Sequence, residues 1–180
     1  MEDVRDQILE ELRSVRRAGM RSLIQFLESS DFFTAPASRA YHEARPGGLA
    51  RHSWNVYTIL KEKVKRYEVN ILPDSVVVCG LLHDVCKIGI YKKEGGRYVI
   101  RDEMPLGHGE KSVFILQRFI KLTEEEMAAI RWHMGAFEAG LMIKSHPAAF
   151  AFQEALQKYP LVVLLHTADL EATYMVDERR

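Results

Sequence analysis

The chain is poor in several of the features that other architectures require. Its 180 residues include only two cysteines, Cys79 and Cys86, seven apart and outside any C-x-x-C pair. That spacing excludes a disulfide framework or a zinc knuckle as the organising device. Excess charge is also missing, because 25 Lys and Arg residues balance 25 Asp and Glu residues. A polybasic coat for nucleic acid or a membrane surface is therefore not expected, although a local phosphate pocket remains compatible with the balance. Long apolar runs are absent: Leu161 to Leu165 is among the longest, far below the roughly 20 residues that span a bilayer. The opening Met1-Glu2-Asp3 is acidic and carries no apolar h-region. The expectation is a reduced, cytoplasmic protein with neither secretory signal nor membrane association. Neither an internal repeat nor a low-complexity tract nor a linker divides the sequence. We read residues 1–180 as a single domain, large enough to bury a hydrophobic core.

Helical periodicity dominates. Ile8, Leu12, Val15, Gly19, Leu23 and Phe26 step by 4, 3, 4, 4 and 3, which draws one apolar stripe along a helix over residues 1–29. Residues 30–48 hold Pro36, Pro46, Gly47 and Gly48 and read as a long loop, of a length often tied to function. A helix follows over 49–67, with Val56, Leu60 and Val64 in register, and another opens at Pro73-Asp74 and runs to Lys87 before Gly89. Gly95-Gly96 separates two strand-like segments and predicts a hairpin. Helices resume over 110–121 and from Thr123, whose partner Glu126 completes a capping box. The last two are expected near 147–158 and 161–176. The fold class is all-α with a small β-hairpin insertion, and residues 49–176 form its core.

Within this pattern, histidines and aspartates fall on apolar faces. His52 stands four before Val56; His83-Asp84 follows Gly80-Leu81-Leu82; His133 is three past Ile130; Asp169 is four past Leu165. His108 sits where the hairpin region returns to helix. A buried carboxylate is unfavourable unless a cation or several donors hold it. Imidazoles and carboxylates are the ligands of zinc, iron, manganese, cobalt and nickel, and a metal ion would offset the buried aspartates. A lone inward histidine is more often a hydrogen-bonded core residue than a ligand; the adjacent His83-Asp84 pair and Asp169 are what favour a metal.

These residues resemble the HD-domain superfamily of metal-dependent phosphohydrolases. Leu81-Leu82-His83-Asp84-Val85-Cys86-Lys87 is similar to the family's L-L-H-D-[IV]-[GA]-K stretch. Gly48-Leu49-Ala50-Arg51-His52-Ser53-Trp54-Asn55-Val56 resembles its G-L-x-x-H-S-x-x-V segment, and Ala168-Asp169 its closing A-D. Residues 30–38 are similar to those of small bacterial and phage-type members. Cys86 departs from the pattern by replacing a small residue, as either a packing change or an oxidation-sensitive or soft-metal feature.

The resemblance implies two divalent transition-metal ions of the Mn, Fe, Co, Ni or Zn type. His52, His83, Asp84 and Asp169 would hold the first, and Asp84 would bridge to a second completed by His108 and His133. A bridging hydroxide would attack phosphorus, with the substrate a phosphorylated small molecule, a nucleotide or a nucleic-acid end. Lys87, four past His83 and hence expected on the same helical face, would contact the phosphoryl group. Arg51 is either a bidentate phosphate clamp or a surface arginine. His166 is a candidate ligand or neighbour of the site, and His42 and Lys111 are expected at the surface. Two other functions share the ligand set: an HD-fold di-iron oxygenase, and a non-catalytic nucleotide-binding module.

Overall fold

The computed structural model describes residues 3–135 and 147–178. Helices α1 (Val4–Ser14) and α2 (Met20–Ser29) open the fold. They correct the expectation of one continuous helix over 1–29. The apolar stripe is real, with Ile8, Leu12, Val15 and Leu23 all buried, but the backbone breaks between Ser14 and Met20. Gly19 adopts φ 88° and lies so close to the Phe119 carbonyl that a Cβ would collide with it. Only glycine meets both demands. Sequence periodicity survives the break because the turn restores the same face to the core.

After an irregular segment, α3 (Gly48–Tyr67) packs on α4 (Pro73–Leu82) and on α8 (Pro160–Glu171). Proline at the first turn starts both α4 and α8, where its missing N–H leaves no bond unmade. Helix α4 is buried from Ser75 to Leu82, so it forms the centre of the molecule and not an amphipathic wall; each Val or Leu so buried contributes roughly 1.5–3 kcal/mol. Gly80 makes this possible, since a Cβ there would lie 2.8 Å from the Tyr57 Cα of α3. Helices α5 (His108–Gln117) and α6 (Glu124–Trp132) pack together, α6 also meets α8, and α7 (Pro147–Lys158) lies against α6 and α8. The Thr123–Glu126 capping box forms as the sequence predicts.

Strands β1 (Tyr91–Glu94) and β2 (Arg97–Ile100) pair antiparallel in the register Tyr91 with Ile100. Gly95 and Gly96 between them both have positive φ, the requirement of a two-residue primed turn. The hairpin is the described β-structure, and the fold is all-α with this insertion. Among the described residues, no helix is long and apolar enough to cross a membrane. His146, expected from its place before Pro147 to have a local structural or exposed role, lies outside the described residues.

One further correction bears on the site. The predicted helix from Pro73 to Lys87 ends at Leu82; His83 caps it, and Val85–Lys87 form a 3-10 turn. Lys87 is therefore not on the helical face of His83. The tighter turn instead brings it back onto Asp84.

Candidate metal centre

The end of α4 delivers His83 and Asp84 into the middle of the bundle, where four other helices converge. His52 comes from the second turn of α3, His108 begins α5, His133 caps α6, and Asp169 lies near the end of α8. Helices α5 and α6 approach closely because residue 109 is glycine; a Cβ there would collide with the Arg131 carbonyl. That contact sets His108 beside His133, ring centroids 5.6 Å apart.

The geometry centres on Asp84, which is 2% exposed. Its Oδ2 lies 3.5 Å from Nε2 of His52, 3.5 Å from Nε2 of His83 and 2.6 Å from Nζ of Lys87. Its Oδ1 lies 2.8 Å from Nε2 of His108 and 3.4 Å from Nε2 of His133. One carboxylate thus presents a different oxygen to each of two histidine pairs. Asp169 joins the first pair, with Oδ1 3.2 Å from Nε2 of His52.

The second ring nitrogens fix the tautomers. Nδ1 of His83 donates to the Gly80 carbonyl at 3.0 Å, and Nδ1 of His133 to the Ile130 carbonyl at 2.6 Å. A carbonyl only accepts, so in the neutral rings Nε2 carries the lone pair. Nδ1 of His166 donates in the same way to the His133 carbonyl at 2.6 Å. Nε2 of His83 stands 3.4 Å from Nε2 of His52, and among the described residues the buried Nε2 of His133 has no hydrogen-bond partner. With both rings neutral these lone pairs converge, and together with the unpartnered His133 nitrogen they make an arrangement that a cation satisfies. His52, His83 and Asp84 form one group whose ligand atoms lie within 4.8 Å of each other, and His83, His133 and Asp169 form another. The residues present therefore fit a divalent metal.

The electrostatics agree. Burial pushes the His83 imidazole down to about 4, against the opposing pull of Asp84, and so keeps it neutral. Burial also opposes ionisation of Asp84, but Lys87, His83, His108 and His133 outweigh it and hold the carboxyl well below its usual range. Asp169 is likewise held low, chiefly by His52 against burial. His52 is pushed up to about 9, burial being outweighed by Asp169 and Asp177. A metal taken up at this nitrogen at neutral pH would have to displace a proton. The Cys86 thiol, buried beside Asp84, is pushed up to about 12 by burial first and Asp84 second; it is a neutral packing group beside the cluster.

A cavity of about 540 Å³ opens onto the cluster, its walls including His42, Lys87, His166, Tyr41 and Tyr174. Arg51 is not brought there: it is exposed and borders a separate surface depression with Arg5 and Arg45. Two expectations of surface exposure are corrected. Lys111 is buried and paired with Asp102, and His42 is partly buried, with Nδ1 2.7 Å from Asp177 Oδ2.

Asp177 is the residue that the sequence reading missed. It accepts from Nδ1 of His52 at 2.7 Å and from Asn55 Nδ2 at 2.8 Å. It follows a π-helical turn over Ala172–Val176, which delays it by about one residue from the α-helical register of Asp169. No 3.6-residue pattern points to it; the apolar Tyr174-Met175-Val176 ahead of the acidic Asp177-Glu178 was the local signal.

A family model for the HD domain matches residues 49–172. No curated protein and no solved structure matches the chain.

Proposed function

The chain belongs to the HD-domain family, and from that premise we propose that it is a divalent-metal-dependent phosphohydrolase acting on a nucleotide or oligonucleotide phosphate ester. The observation that carries this reading is the division of Asp84 between two histidine pairs. It is the disposition expected of a carboxylate shared by two ions. In the proposed assignment His52, His83, Asp84 and Asp169 hold one ion, and Asp84, His108 and His133 the other. When bound, such ions lower the pKa of water from 15.7 towards about 7 and neutralise charge on phosphoryl oxygens.

The chain's own groups supply the rest. The ammonium of Lys87 lies on the cavity wall beside Asp84, positioned to attract a phosphoryl oxygen entering the same space. Tyr41 and Tyr174, at 76% and 58% exposure, border the cavity, and its volume leaves room for a leaving group larger than phosphate. Helices α1 and α2 and the segment after them are read as part of the same domain, since α1 packs on α3 and α4.

The direct test is a panel of phosphomonoesters and phosphodiesters offered to protein loaded with Mn, Co, Ni, Zn or Fe. Phosphate-ester cleavage that depends on the added metal is expected. Oxygen consumption without ester cleavage would instead assign the chain to the oxygenases. Replacing both His108 and His133 by alanine should lower bound metal from about two ions per chain to about one, read by elemental analysis. An unchanged count would remove those two residues from the ligand set. Lys87→Ala should lower kcat/KM by about 10²–10³-fold with metal content retained; a change of less than a few-fold would leave Lys87 as only the counter-ion of Asp84.

A further inference from the structure

We infer that Asp177 is a positioning residue for the metal centre, and that through it the segment after α8 and the loop before α3 jointly set how His52 is presented. The inference rests on the metal reading proposed above. Asp177 is 7% exposed, and its carboxylate takes three donors from two chain segments. Oδ2 lies 2.7 Å from Nδ1 of both His52 and His42, and Oδ1 accepts from Asn55 Nδ2 at 2.8 Å. His52 and Asn55 belong to α3, His42 to the loop. The same two chain segments are fastened beyond Asp177: the Glu43 amide donates to the Glu178 carbonyl at 2.8 Å, and Arg45 lies 2.9 Å from Glu43 and 3.2 Å from Glu178.

The consequence for His52 is specific. Its Nδ1–H is committed to Asp177, so Nε2 is the nitrogen left for the cluster. The carboxylate also increases the basicity of the ring and holds its plane. His83 and His133 receive the same orientation from neutral carbonyls; His52 alone among the three has an anion behind it.

The test is zinc affinity by chelator competition in wild type, Asp177→Ala, Asp177→Asn and Glu43→Gln. Asp177→Ala leaves the His52 N–H without its acceptor and should weaken zinc binding about 10–100-fold. Asp177→Asn keeps an acceptor oxygen but loses the charge, and should recover part of that loss. Glu43→Gln removes one charge from the Arg45 ion pair but keeps the backbone bond to Glu178 and every contact of Asp177 with His52, and it should bind zinc like wild type. In zinc-loaded wild type, the His52 Nδ1 proton should be slowly exchanging by NMR, and lost from that state in Asp177→Ala. Equal zinc affinity in wild type and both Asp177 variants, or an equal loss in Glu43→Gln, would overturn the inference and leave the metal reading intact. A wild type that takes up no zinc or other divalent transition metal would overturn both.

Discussion

Asp84→Asn is expected to abolish turnover, with a loss of roughly 10³-fold or more, because several kcal/mol of transition-state stabilisation depend on the ions it would share. The substitution keeps the size of the side chain and removes the charge that faces both histidine pairs. It has a second effect, since Lys87 is 7% exposed and 2.6 Å from Asp84. Without the carboxylate a buried ammonium loses its counter-charge, and breaking a buried pair from one side destabilises by about 3–5 kcal/mol. Asp84→Asn combined with Lys87→Met separates the two effects. The double variant should recover stability in a denaturant titration and remain inactive and metal-poor. Measurable turnover in either variant, at normal metal content, would remove Asp84 from the centre.

The parts of the site legible in the sequence were those set by local pattern. His52 shares the apolar face of Val56 and Leu60, and all three are buried. His83 and Asp84 stand out because charge follows an apolar run, and the run proved to be the central helix. Spacing also placed His108 and His133 at helix ends, where glycine permits the close packing that joins them. What failed was whatever depended on a local departure from 3.6-residue geometry. The turn at Gly19, the 3-10 turn that folds Lys87 onto Asp84 and the π-helical turn before Asp177 each shift the register by a fraction of a turn. Arg51, left open between phosphate clamp and surface arginine, is placed by the structure at the surface. It adjoins His52 in sequence, but neighbours on a helix point about 100° apart, and its side chain faces solvent away from the cluster.

An equally large effect on stability is expected outside the centre, at Glu126. The capping box assigned this side chain to the Thr123 amide, and the structure adds three donors. Its oxygens lie 2.8 Å from Arg17 Nη1, 2.8 Å from Arg17 Nη2, 2.7 Å from Ser75 Oγ and 2.8 Å from the Thr123 amide. One fully buried carboxylate thereby ties the α1–α2 turn, the start of α4 and the start of α6 together. Glu126→Ala leaves the Arg17 guanidinium, 16% exposed, without its partner, and should destabilise by about 3–5 kcal/mol. For a chain of this size that lowers Tm by roughly 6–20 °C. The pH dependence has a defined sign. Burial pushes the carboxyl up, but Arg17, Ser75 and Thr123 outweigh it and lower it below the ordinary glutamate value. A depressed folded-state pKa stabilises the fold above the unfolded value, near about 4.3, and that contribution is lost as pH falls through the folded value. The stability difference between wild type and Glu126→Ala should therefore be greatest at neutral pH and shrink below about pH 4.3. Urea titrations at a series of pH values measure it directly, and a difference that stays constant on acidification would mean that packing, and not the ionised carboxylate, holds the three segments.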